Sequence, residues 1–96
     1  MWLEDYLKIF DYFGYENQRR KLVEEIDELN DEILLFEKGI GDIKDLKEEL
    51  ADCYILLKQI KSYYEITDEE LLVVMRYKLN RTLERIEGGY YRNDIR

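Results

Sequence analysis

Apolar residues recur three and four positions apart along nearly the whole chain and nowhere alternate convincingly every second residue, a period that restricts the fold to helices. Segment 2–13 lines up Trp2, Tyr6, Ile9, Phe10 and Phe13 on one side. Gly14 interrupts the pattern, and Asn17 is a candidate cap for the next helix. Segment 17–38 carries the stripe Leu22, Ile26, Leu29, Ile33 and Phe36, and Gly39 and Gly41 bracket the turn that ends it. Asp42 caps segment 42–64, whose expected inward residues are Leu46, Leu50, Cys53, Tyr54, Leu57 and Ile60. Thr67 and Glu70 form a T-x-x-E capping box that opens a last helix running to about Glu87, with Leu72, Met75, Leu79, Leu83 and Ile86 inward. Gly88 and Gly89 end it, leaving Tyr90, Tyr91 and a polar tail. Short turns between long helices favour antiparallel neighbours. The expected fold is therefore all-α, a four-helix antiparallel bundle in a single domain over residues 1–96.

A chain of 96 residues buries only about 60–65% of its unfolded surface, so a further subunit is expected to complete the core. A net charge of −8 argues against a nucleic-acid polymer as partner, because phosphate backbones reward clustered Lys and Arg. No apolar run approaches the roughly 20 residues needed to span a bilayer, and no signal peptide opens the chain, so the expected location is cytoplasmic. The lone Cys53 excludes an intramolecular disulfide and Cys-rich zinc sites, and reads as a small buried hydrophobe. The sequence contains no histidine, which removes the commonest general base and the commonest transition-metal ligand. It also excludes a di-iron carboxylate bundle, which needs Glu-x-x-His motifs. Chemistry here must run on carboxylates, basic side chains, tyrosines and a bound ion.

Two acidic runs meet that requirement: Glu24-Glu25-Ile26-Asp27-Glu28 and Glu49-Leu50-Ala51-Asp52. Each places carboxylates three residues apart, on one helical face. Residues 29–48 separate Glu28 from Glu49, so a hairpin turning near residues 39–42 brings the two pairs to roughly the same height. All four carboxylates flank the apolar stripes and point to the seam between helices. The helices carry unfavourable like-charge i,i+4 pairs to achieve this, among them Glu24/Glu28 and Glu48/Asp52. Crowded carboxylates raise one another's pKa unless a cation compensates, and an all-oxygen ligand set points to Mg²⁺ or Mn²⁺.

These runs resemble the all-α nucleoside triphosphate pyrophosphohydrolases of the MazG-like superfamily, marked by E-E-x-x-E followed after a variable gap by E-x-x-D. The matching segments are Glu24-Glu25-Ile26-Asp27-Glu28 and Glu49-Leu50-Ala51-Asp52, with Gln18 upstream and a basic, Asn-containing final helix; the likeness covers about residues 15–90. The resemblance implies hydrolysis of an NTP or dNTP to the monophosphate and pyrophosphate, in a homodimer or homotetramer. It implies Glu25, Glu28, Glu49 and Asp52 as metal ligands, with Glu24 orienting a ligand or facing water. Glu25 is the candidate to accept the proton of the attacking water. Where the family often has a lysine four residues before an asparagine or arginine, this chain has Arg76 before Asn80, with Lys78 and Arg81 beside them. All four are candidates for the phosphates, and arginine would offer a bidentate contact. Gln18, seven residues before Glu25 on the same side of the helix, reads either as a contact to base or ribose or as a surface residue. The competing expectation is a noncatalytic acidic helical module that binds a protein partner or forms a structural dimer.

Overall fold

A computed structural model describes residues 3–92, and these form four helices and no strand. In chain order they are α1 (Leu3–Phe13), α2 (Tyr15–Glu37), α3 (Ile43–Tyr63) and α4 (Asp68–Glu87). Trp2 and the tail from residue 93 lie outside the described residues. The all-α expectation holds. The chain divides into two compact units, one ending at Glu65 and the next beginning at Ile66, so α1, α2 and α3 belong to the first and α4 to the second. No helix among the described residues is long and apolar enough to cross a membrane.

Local chemistry sets the helix ends. Gly39 follows the α2 C-cap with φ 77°, a left-handed conformation that glycine adopts freely. Its N–H donates to the Phe36 carbonyl at 2.9 Å and that of Ile40 to the Leu35 carbonyl at 3.0 Å, the reciprocal pair that closes a helix C-terminus. Gly41 serves a different need. A Cβ there would stand 2.5 Å from Phe36 Cδ2 and 2.8 Å from the Phe36 backbone nitrogen, so only a bare Cα fits. Asp42 then starts α3 by accepting the Lys44 N–H on Oδ1 at 2.8 Å. The capping box of α4 is complete: Thr67 Oγ1 accepts the Glu70 N–H and Glu70 Oε1 accepts the Thr67 N–H.

Asn17 does not cap α2. The helix begins at Tyr15 with Gly14 as N-cap and no side-chain bond there, because Gly14 at φ 87° turns the chain in a single residue. Asn17 lies inside the first turn and donates its amide to the Phe13 carbonyl at 2.7 Å, closing the end of α1 instead.

Within the first unit α2 packs along α3, and α1 lies against both. An aromatic group ties α1, the start of α2 and the end of α3 together. The Tyr63 ring lies 5.0 Å from Phe10 and 4.9 Å from Tyr15 between centroids, and the Tyr15 and Tyr64 hydroxyls share a 2.6 Å hydrogen bond. Among the described residues the buried apolar side chains are Phe10, Cys53 and Leu56; Gln18, Glu25 and Gln59 are buried with them.

That mixture corrects the expected stripes. On α2, Leu22 and Leu29 are half-buried as expected, but Ile26, Ile33 and Phe36 are exposed. The inward row is Gln18, Leu22, Glu25, Leu29, Glu32 and Leu35. On α3, Leu50, Tyr54 and Leu57 are exposed, while Leu46, Glu49, Cys53, Leu56, Gln59 and Ile60 face inward. Both helices are rotated so that carboxylates and amides share the seam, which leaves an apolar flank in water. The five residues expected inward on α4, Leu72, Met75, Leu79, Leu83 and Ile86, are all exposed.

The turn between α2 and α3 sets the register of α3 against α2. Gly41→Ala is expected to lower unfolding free energy by about 1–3 kcal/mol, because the new methyl meets backbone as well as ring atoms. Chemical denaturation measures this, and an unchanged midpoint would show that the turn is not fixed by that close approach.

Candidate functional site

The antiparallel register of α2 and α3 assembles the acidic residues. Glu28 with Glu49, Glu25 with Asp52, and Gln18 with Gln59 each add to the same total of residue numbers, as one register requires. The far pair confirms it directly: Gln18 Nε2 donates to Gln59 Oε1 at 2.8 Å between buried side chains. Two helical turns away, Glu25, Glu49 and Asp52 each bring one carboxylate oxygen to within 4.8 Å of the others. Glu25 is buried, Glu49 half-buried and Asp52 exposed, so the group runs from the seam out to solvent.

Two oxygens stand out. Glu25 Oε2 and Glu49 Oε2 are buried and have no hydrogen-bond partner. Glu25 Oε1 is matched by Lys21, one turn earlier on α2, whose Nζ lies 3.2 Å away. This bond, and the charge behind it, raises the Lys21 pKa. Glu28 is exposed but joins the group: a hydrogen bond to Glu25, and then that carboxylate's charge, raise its pKa. Burial, followed by the charge of Glu28, pushes Glu49 from 4.5 up to about 7. Cys53 sits behind the carboxylates, and burial and then the charge of Glu25 raise its thiol pKa. A weakly acidic buried thiol is a packing group here and not a nucleophile.

Beside the carboxylates the first unit opens into a cleft of about 620 Å³, whose walls include Asn17, Gln18, Lys21, Glu25, Asp52 and Gln59. Glu24 also borders it. The volume lies within the range of roughly 300–1,000 Å³ usual for small-molecule sites. Apolar Ile9, Phe13, Ile55 and Leu56 complete the wall, so the cleft offers a flat apolar surface beside fixed amides and acids.

Gln18 is therefore not a surface residue. Gln59, Lys21 and Asn17 join the site although the sequence marked none of them as a site residue, Asn17 having been expected only as a helix cap. Gln59 was within reach of the register argument, since it follows Asp52 by the same interval at which Gln18 precedes Glu25. Lys21 carried the i,i+4 signal to Glu25. The four remaining candidates all lie on α4, in the second unit. Arg76, Lys78 and Asn80 are exposed there. Arg81 is half-buried, its guanidinium 5.5 Å from the Tyr77 ring centroid and its Nε buried without a hydrogen-bond partner.

Comparison with known proteins gives no match: no family model, no curated protein and no solved structure is recognisably similar to the chain.

The raised carboxyls predict how stability follows pH. A Glu whose folded pKa exceeds its unfolded value stabilises the fold while protonated, and that contribution is lost as pH rises through the folded pKa. In chelator, thermal stability should fall as pH rises from 4.5 toward and past about 7. Glu49→Gln should flatten that fall, and a divalent cation should oppose it. Melting curves across this window decide the matter: a profile in chelator that Glu49→Gln leaves unchanged would show that Glu49 is not the group responsible.

Proposed function

We propose that this chain is a Mg²⁺-dependent nucleotide pyrophosphohydrolase of the MazG-like all-α type, converting an NTP or dNTP to the monophosphate and pyrophosphate. The observation that carries the reading is the unpartnered, buried Glu25 oxygen within a carboxylate group that opens on a ligand-sized cleft. Solvated acidic faces do not bury carboxylate oxygens without donors, because an unpaired buried polar atom costs about 1–3 kcal/mol or more. Oxygen-only donors at this spacing fit a hard divalent cation, with Glu25, Glu28, Glu49 and Asp52 to hold it and Mn²⁺ as the natural substitute. When bound, such an ion neutralises phosphate oxygens and lowers the pKa of water at the site.

The chain's own residues do the rest. Glu25 is the proton acceptor, since its buried carboxylate combines a free oxygen with a fixed position. Gln18 and Gln59 hold each other's amides rigid on the cleft wall, where they orient the nucleoside part of the substrate. Arg76, Lys78, Asn80 and Arg81 of α4 are the phosphate contacts that the family resemblance implies, and Arg81 Nε has no hydrogen-bond partner among the described residues. Two copies or more complete a helical bundle by covering the apolar rows left in water, above all Leu72, Met75, Leu79 and Leu83. The setting is the cytoplasmic nucleotide pool. A noncatalytic interaction module draws on that α4 row alone, and it gives no role to the Glu25 oxygen.

The test is a panel of NTPs and dNTPs assayed for pyrophosphate release with Mg²⁺ and with Mn²⁺. At least one nucleotide should turn over, and Glu28→Gln or Asp52→Asn should reduce its rate by about a hundredfold or more while the helical circular dichroism is kept. A full panel without turnover would leave the interaction module as the function.

A further inference from the structure

Lys21 has a place in this site that the acidic motif does not assign. Its Nζ lies 3.2 Å from Glu25 Oε1, yet the two partners stand in different surroundings. The Glu25 side chain is 6% exposed and that of Lys21 53% exposed, so the carboxylate is fixed while the ammonium sits at the end of a stem that reaches water. Lys21 also lines the cleft, together with Gln18 and Asp52. It satisfies one Glu25 oxygen and leaves Oε2 buried without a partner. A single lysine thus half-neutralises the carboxylate that anchors the cluster.

We propose that Lys21 is an internal counter-ion of the site: it holds Glu25 until a divalent cation takes that carboxylate, and is then released into the cleft to bind the phosphate chain. The inference rests on the metal and polyphosphate reading above. An ammonium on Oε1 and a metal ion on Oε2 draw on the same negative charge and repel each other, so Lys21 opposes the cation and favours the anion. A lysine suits the exchange because it is a compact point charge on a flexible stem, without the planar fork that locks arginine to carboxylates. A residue with a purely structural role would weaken both ligands or neither. Lys21 moves them in opposite directions.

Calorimetry with Mn²⁺ alone, followed by pyrophosphate at saturating Mn²⁺, reads both arms. Lys21→Met should bind Mn²⁺ about threefold to tenfold more tightly than wild type, and pyrophosphate more weakly by a similar factor. Lys21→Arg, which keeps the charge but forks onto the carboxylate, should not tighten Mn²⁺ binding. Arg20→Met removes a neighbouring charge that is paired to Glu16 at 3.7 Å, and should shift Mn²⁺ affinity by less than about twofold. An equal shift in Arg20→Met, or unchanged or weaker Mn²⁺ binding in Lys21→Met, overturns the proposal while leaving the metal reading intact. Wild-type protein that binds no Mn²⁺ overturns both.

Discussion

A carboxylate buried in the seam between two helices governs this molecule. Taking an ionised carboxylate out of water costs several kcal/mol unless opposite charge and hydrogen bonds replace the lost solvation. Glu25 receives only part of that compensation, from Lys21 on one oxygen. The surrounding features answer the same demand. Glu28 has a raised pKa because it meets the Glu25 carboxylate, and Glu49 because of burial and then the charge of Glu28, so protons can stand where a cation would stand. The register of α2 against α3 is what brings the four acids level, and it is held from both ends. At one end Gly41 admits no side-chain atom against Phe36, and at the other Gln18 bonds Gln59. The aromatic group of Phe10, Tyr15, Tyr63 and Tyr64 seals the open end beyond the amides.

The sequence disclosed the helices because their ends are written in short-range chemistry. Asp42, the Thr67–Glu70 box, Gly39 and the Gly88–Gly89 stop all act within a few residues of themselves, and all are found in those roles. The expected cap at Asn17 failed for a reason of the same kind, since a single glycine in a left-handed conformation left no loop for a side chain to cap. The inward faces were harder. Periodicity counts apolar residues, so it drew the stripe of α2 through Ile26 and Ile33, which lie on the flank. The true seam is half polar, and a polar residue is invisible to a count of apolar ones. Gln59 is the clearest instance: the most deeply buried side chain of the described residues is an amide.

The candidate site divides along the same line. Glu25, Glu28, Glu49 and Asp52 were legible because a repeated acidic spacing on two segments carries information about a hairpin even before the hairpin is seen. Lys21 and Gln59 were not, because each is an ordinary residue made special by what faces it. The proposed function rests on this placement: a fixed anionic centre, a cleft with rigid amides on its wall, and one lysine shared between them. The apolar flank left in water on α2 and α3 belongs to the same logic, because a seam given over to carboxylates and amides displaces aliphatic side chains such as Ile26, Ile33, Leu50 and Leu57 that then need another surface.

The proposed cation site, with Lys21 as its internal counter-ion, can be observed directly. The most direct measurement is a crystal structure of the protein grown with Mn²⁺ and recorded at a wavelength where manganese scatters anomalously. The expected map holds an anomalous peak bounded by Glu25, Glu28, Glu49 and Asp52, with Lys21 withdrawn from Glu25. A map with no manganese at these four residues, and the Lys21–Glu25 pair still closed, would contradict it.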